Sequence, residues 1–296
     1  MHQIVKYYMQ KYQPIIAFFL SVFLFSCQNF EYHPYAADID GPGNINEDNI
    51  KRIQAEVKTL PVKFAFITDT QGAYNELDEA MRHISANDGI DFIVHGGDIS
   101  DFGLPKEFVW CRDIMGGYNI PYFAVIGNHD CQGSGENAYE YIFGLKNYSF
   151  NVAGIHFLCL NTNALEYDYS NPVPDLNFIE ADAEEVVSLN KKSPGAVTHT
   201  IVVMHSRPYD RQFNNNVAKP FIYYLKQFPG MGESDPVIED GTRRFGFCLN
   251  GHNHSTAMTD IDDEGILFYQ CANIGKRNYF IVTVKEDGYD VEVVEF

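Results

Sequence analysis

The chain has 296 residues, 45% hydrophobic and 15% aromatic, enough apolar side chain for one large core or two small ones and too much for a disordered polymer. Its formal charge of -19 at pH 7 repels nucleic-acid backbones, which excludes bulk DNA or RNA as a partner. Arg207, Arg211, Lys219, Arg243 and Arg244 could still line a local pocket for a small phosphate ester.

The N-terminus reads as an export signal: Lys6 and Lys11, an apolar run over 15–25, then Ser26-Cys27. The run is too short to span a bilayer. Leu24-Phe25-Ser26-Cys27 resembles a bacterial lipoprotein box. The resemblance implies removal of residues 1–26, acylation of Cys27 and a lipid-anchored place in a bacterial cell envelope, periplasmic or at the surface. An ordinary signal peptide cut nearby and an uncleaved anchor are the alternatives. The remaining cysteines, Cys111, Cys131, Cys159, Cys248 and Cys271, are odd in number and widely spaced, so no disulfide framework follows.

Residues 27–60 read as a tether and lead-in with a short helix over 47–58, and residues 61–296 as one catalytic domain. The first strand is 62–67, followed by a helix that Asn75 caps and whose Leu77, Ala80, Met81 and Ile84 share a face. Phe92-Ile93-Val94 precedes Gly96-Gly97-Asp98, Pro105 opens a helix reaching Met115, and a third strand over 122–126 precedes Gly127. Strand and helix alternating about every thirty positions predict βαβ units, which gather ligands beyond the carboxyl ends of their strands. Further on, 148–152 and 155–161 form a hairpin around Ala153-Gly154, and Asp175 starts a helix ending near Asn190. A strand over 200–204 delivers His205. Residues 206–244 lack clear periodicity and read as a long functional loop or cap. Strands follow at 245–249, 266–270, 279–285 and 289–295.

Five blocks of metal-seeking residues sit where strands should end: Asp69-Thr70-Gln71, Gly97-Asp98, Gly127-Asn128-His129-Asp130, Met204-His205 and Gly251-His252-Asn253-His254. Taken singly, each of these residues is more often an ordinary polar group at a strand end. Jointly, they supply the carboxylate, imidazole and amide donors that two cations about 3.5–4 Å apart require.

Their order resembles the calcineurin-like metallophosphoesterase superfamily, closely over residues 62 to about 256. The resemblance implies an α/β fold, a four-layer α/β/β/α sandwich with two mixed sheets and a binuclear centre at the carboxyl ends of strands. It implies Asp69, Gln71 and His254 on one metal, Asn128, His205 and His252 on the other, and Asp98 bridging. It further implies in-line attack on phosphorus by a water activated between the metals. His129 takes the place of the proton donor, and Asp101 matches the acid paired with that histidine in the phosphoprotein-phosphatase branch. Asn128, His129 and Arg207 are the candidate substrate contacts. His95, Asp130 and Asn253 read as supporting groups, while His33, His83, His156 and His199 lie outside the constellation.

Two positions depart from the pattern. Phe102 stands where the phosphoprotein phosphatases carry a phosphate-binding arginine. Gln71 stands where most members carry histidine, which favours two Mn²⁺ ions, with Fe, Zn or Mg as alternatives, because an amide oxygen is a harder donor than imidazole. Gln at this place is similar to the manganese-dependent ADP-ribose/CDP-alcohol diphosphatases. The expectation is therefore a hydrolase of small phosphomonoesters, phosphodiesters or pyrophosphates. The alternatives are a metal-containing surface lipoprotein that binds a glycan or phosphorylated ligand without turnover, and a Ser/Thr protein phosphatase.

Overall fold

Two mixed β-sheets face each other with helices on both outer surfaces. The computed structural model describes residues 12, 39–167, 170–232 and 244–296. The export segment, Cys27 and His33 lie outside the described residues, as do Arg243 and residues 233–243 of the expected cap. Among the described residues no helix is long and apolar enough to cross a membrane, and the five described cysteines are all free.

The first sheet runs β11-β10-β1-β2-β3, with β1 Val62–Ile67, β2 Phe92–His95, β3 Tyr122–Ala124, β10 Asn278–Val284 and β11 Tyr289–Glu295. Here β1, β2 and β3 are parallel, while β10 and β11 are antiparallel to their neighbours. The second sheet runs β4-β5-β6-β7-β9-β8, with β4 Tyr148–Val152, β5 Ile155–Leu160, β6 His199–Met204, β7 Phe245–Asn250, β8 Ala257–Asp260 and β9 Leu267–Gln270. Its four central strands are parallel and its two edge strands antiparallel. The expected four-layer architecture is thus present.

The period of two along each strand sorts side chains into layers. On β1, Phe64 and Phe66 enter the core between the sheets, joined there by Phe92, Phe123, Phe157, Phe247 and Phe280. Ala65 and Ile67 point the other way, against Leu77, Ala80, Met81 and Ile84 of α2 (Tyr74–Ser85) and Phe108, Cys111 and Met115 of α3 (Pro105–Gly116). The rings are not loosely filled. Phe64 stacks on Phe92 at 5.1 Å and Phe150 on Phe157 at 5.1 Å, and each ring so buried stabilises by about 1.5–3 kcal/mol. A third core lies outside the second sheet, under α5 (Leu176–Lys192) and α6 (Ala218–Leu225).

The lead-in helix, α1 (Ile45–Glu56), is pinned to this body. Ile53 enters the central core, and the Asn46 side chain accepts from Ala124 N at 2.9 Å and donates to Ala124 O at 3.0 Å. The edge strand β3 thereby gains on its open side what a neighbouring strand would provide.

Four elements differ from expectation, the first being α4 (Gly135–Ile142), a helix the sequence pattern does not announce. Helix α2 starts at Tyr74, with Ala73 rather than Asn75 at its N-cap position, whereas Asp175 caps α5 as expected, accepting from Asn177 N and Phe178 N. Within 206–244, residues Ala218–Leu225 form α6, whose Phe221, Ile222 and Leu225 are core, so these eight residues are a packing element. At eight residues it is too short for its period to stand out in sequence. The edge strand β8 was also not expected; its alternating exposure leaves Met258 outward.

Candidate active site

Every metal-seeking block lies on a loop that leaves the carboxyl end of a parallel strand. Loops after β1, β2 and β3 bring Asp69, Gln71, Asp98, Asn128 and His129 from the first sheet. Loops after β6 and β7 bring His205, His252 and His254 from the second. All seven candidate ligands meet there. Asp69, Asp98 and His205 are buried and present ligand atoms within 4.8 Å of one another.

The loops turn sharply to do so. Asp69 (φ 54), Gln71 (φ 39), Asp98 (φ 54), His252 (φ 73) and His254 (φ 51) all occupy left-handed backbone, which L-residues with a Cβ ordinarily avoid. Two glycines make the approach possible. A Cβ on Gly127 would collide with the backbone and carboxylate of Asp98, and one on Gly251 with the side chains of Thr68 and Asp69.

The contacts define which atoms are free. His205 Nδ1 donates to Gly96 O at 2.9 Å, since a carbonyl can only accept, and this leaves Nε2 facing the site. Nε2 faces three oxygens: Asn128 Oδ1 at 3.2 Å, Asp98 Oδ2 at 3.3 Å and Asp69 Oδ1 at 4.0 Å. His252 Nδ1 lies 3.0 Å from the same Asn128 Oδ1, and His254 Nε2 lies 3.2 Å from Asp69 Oδ1. Asp69 Oδ1 is buried and accepts no hydrogen bond. One ring nitrogen carries one proton and cannot serve three oxygens, whereas a cation coordinates them together, so these residues fit a metal centre. Gln71 also reaches the cluster, its Nε2 donating to Asp98 Oδ2 at 2.8 Å.

The cluster is strongly polarised. Burial alone would lower the pKa of His205, but the Asp98 and Asp69 carboxylates outweigh it and raise it to about 10. Burial likewise pushes Asp98 up, and His205 more than reverses this, holding it below the usual carboxylate range.

Around the donors, supporting groups brace the loops. Asp130, fully buried, accepts from Gly127 N at 2.9 Å, Ile99 N at 3.2 Å, and Ser100 N at 2.8 Å and Oγ at 2.9 Å, tying the β2 and β3 loops together. His95 sits between Thr70 Oγ1 (2.7 Å) and Gly97 N (3.2 Å). Asn253 donates to Asp210 Oδ1 at 2.9 Å and to Gln270 Oε1 at 2.8 Å.

His129 lies at the same edge, its amide donating to Asp98 Oδ1 at 2.9 Å. Its Nδ1 donates to the backbone carbonyl of Asp101 at 2.7 Å, closer than the Asp101 carboxylate at 3.5 Å. Arg207 is occupied elsewhere: Nη1 donates to Thr259 Oγ1 at 2.7 Å and Nε lies 3.6 Å from Asp210 Oδ1. Two functional partners carry no mark in the sequence: Asp210, in the loop after β6, and Gln270, on β9, both of which hold Asn253.

A family model described as calcineurin-like phosphoesterase matches residues 62–255. Among solved structures, a purple acid phosphatase from yellow lupin (Lupinus luteus) superposes with a TM-score of 0.51 at 12% identity, covering 80% of this chain and 52% of its own. The protein TT1561 of Thermus thermophilus superposes with a TM-score of 0.51 at 11% identity, covering 80% of this chain and 99% of its own. At these identities the likeness is one of fold. No curated protein matches.

Proposed function

From the premise that this chain belongs to the calcineurin-like phosphoesterase family and is a phosphoester hydrolase, we propose that it acts on small phosphorylated molecules. Pyrophosphates of the ADP-ribose or CDP-alcohol kind are the first choice among them. The observation that carries this reading is the convergence of seven oxygen- and nitrogen-bearing side chains from two sheets, three of them with ligand atoms within 4.8 Å of one another, with His129 beside Asp98. Asp69, Gln71 and His254 would hold one divalent cation, Asn128, His205 and His252 the other, and Asp98 both. Such a pair supplies an activated water and neutralises charge on the transferring phosphoryl group.

The chain's own residues do the rest. His205 is fixed by Gly96 O with Nε2 free to ligate, and Asp130 keeps the Asp98 and Asn128 loops in register. His129, bound through Nδ1, keeps Nε2 for giving a proton to the departing oxygen. Gln71 favours manganese, its amide oxygen being a harder donor than the imidazole it replaces. The formal net charge of -19 disfavours polymeric nucleic acid. Cys27 would carry a lipid anchor to the cell envelope; Cys27→Ser should then release the protein from the membrane fraction, and retention there would argue against it.

Purified protein reconstituted with Mn²⁺ should hydrolyse ADP-ribose and the bis ester of p-nitrophenol, and Asp98→Ala should abolish both activities. Full turnover by Asp98→Ala would overturn the assignment. Better reactivation by Zn²⁺ than by Mn²⁺ would overturn the metal preference alone.

A further inference from the structure

We propose that Glu107 is the positioning residue for the proton donor: its carboxylate fixes the loop whose backbone carbonyl orients the His129 ring. This rests on the reading of His129 as the acid of a phosphoester hydrolase.

Glu107 lies in the first turn of α3 and is nearly fully buried. Its two oxygens collect three backbone amides of the loop that follows Asp98. Oε1 accepts from Asp101 N at 3.3 Å, and Oε2 from Phe102 N at 3.1 Å and Leu104 N at 3.0 Å. The last of these is the ordinary reach of an N3 glutamate to the residue that starts its helix. The first two lie outside any helix and have no part in capping. On its other side the loop is closed by Gly103 N donating to Ser100 Oγ at 3.2 Å, and Ser100 is in turn held by Asp130.

The loop's product is one oriented acceptor. His129 Nδ1 donates to the Asp101 carbonyl at 2.7 Å, which fixes the tautomer and leaves Nε2 as the ring nitrogen available to the leaving oxygen. The group orienting His129 is thus main chain, so no substitution at Asp101 removes it. What can be removed is the clamp that aims it. Glu107 touches the peptide on both sides of that carbonyl, through the amides of Asp101 and Phe102. A carboxylate accepting several amides is a strong, directional anchor that an amide side chain cannot copy, because one end of glutamine would turn a donor toward donors.

Glu107→Gln separates positioning from structure. Hydrolysis should be followed on two monoesters of the same phosphoryl group, one leaving as p-nitrophenolate and one as an alkyl alcohol. Only the second needs a proton at the transition state. Glu107→Gln should retain most of its kcat on the p-nitrophenyl ester and lose about 10–100-fold on the alkyl ester, with bound metal per chain unchanged. In a His129→Ala background the same substitution should cost nothing further on the alkyl ester. An equal loss on both esters, loss of metal, or full additivity with His129→Ala would overturn the proposal. A wild-type protein inactive on both esters, on ADP-ribose and on bis(p-nitrophenyl) phosphate would overturn the phosphoesterase reading itself, and this inference with it; where only diesters or pyrophosphates turn over, the same comparison is read on a p-nitrophenyl and an alkyl diester.

Discussion

Asp101 illustrates how a residue's main chain can matter more than its side chain. The resemblance to the phosphoprotein-phosphatase branch pairs the Asp101 carboxylate with His129, yet the nearer partner is the Asp101 carbonyl, 2.7 Å against 3.5 Å. Asp101→Asn should therefore lower kcat less than about tenfold, whereas His129→Ala should lower it by about 10²–10⁴ on a substrate with a poor leaving group, as removal of a general acid does. Steady-state rates on one alkyl ester compare the two, and equal losses would return the role to the carboxylate. Far from the cluster, His199 is packed against Phe245 with ring centroids 3.8 Å apart. Burial first and the Arg244 charge second lower its pKa from 6.5 to about 4. Between these values the unfolded chain binds the extra proton, so this contribution to stability is complete above pH 6.5 and is lost as pH falls toward 4. His199→Gln should show a smaller decline in denaturation midpoint than wild type over that window, and an unchanged decline would exclude His199 as its source.

Among the elements, α1 has a structural duty that its place in the lead-in conceals. Asn46 caps the open side of β3, the strand that leads to Asn128 and His129. Ala124 O retains Tyr139 and Tyr148 as donors at 2.6 Å and 2.7 Å, but Ala124 N has Asn46 as its acceptor. Asn46→Ala should thus leave one buried amide unpaired and cost about 1–3 kcal/mol, read from urea unfolding. A cost within error of zero would mean that water replaces the side chain. The same elements show what the sequence could express. β1, β2 and β3 announce themselves through apolar runs that end in Asp or Asn, and the hairpin turn through Ala153-Gly154, both observed in left-handed backbone. Helix α6 and strand β8 do not, because each is short and owes its state to neighbours: Phe221 to the outer core, and β8 to its pairing with β9.

At the scale of the whole molecule, the five blocks were legible because chemistry constrains their residue types, and their convergence follows from strand direction alone. The groups that aim them were not. Asp210, Gln270 and Glu107 lie on separate elements, and only the folded topology brings each to its partner. That topology also divides the donors between the sheets, Asp69, Gln71, Asp98 and Asn128 on one and His205, His252 and His254 on the other. Each cation of the pair would draw ligands from both halves of the sandwich.

Such an ion is a rivet. Between the sheets elsewhere contact is mainly apolar, crossed by few directional bonds such as Tyr148 Oη to Ala124 O at 2.7 Å and Tyr269 Oη with Tyr289 Oη at 3.2 Å, while at this one margin separation would have to rupture coordination from two sides at once. Stripping the metal should consequently loosen the whole body and not merely silence it: with free ion at about 100 times its dissociation constant, linkage adds about 2.7 kcal/mol. Calorimetry before and after chelation should register a lower melting temperature that added Mn²⁺ restores. An identical melting curve would mean that the sandwich holds shut without its rivet.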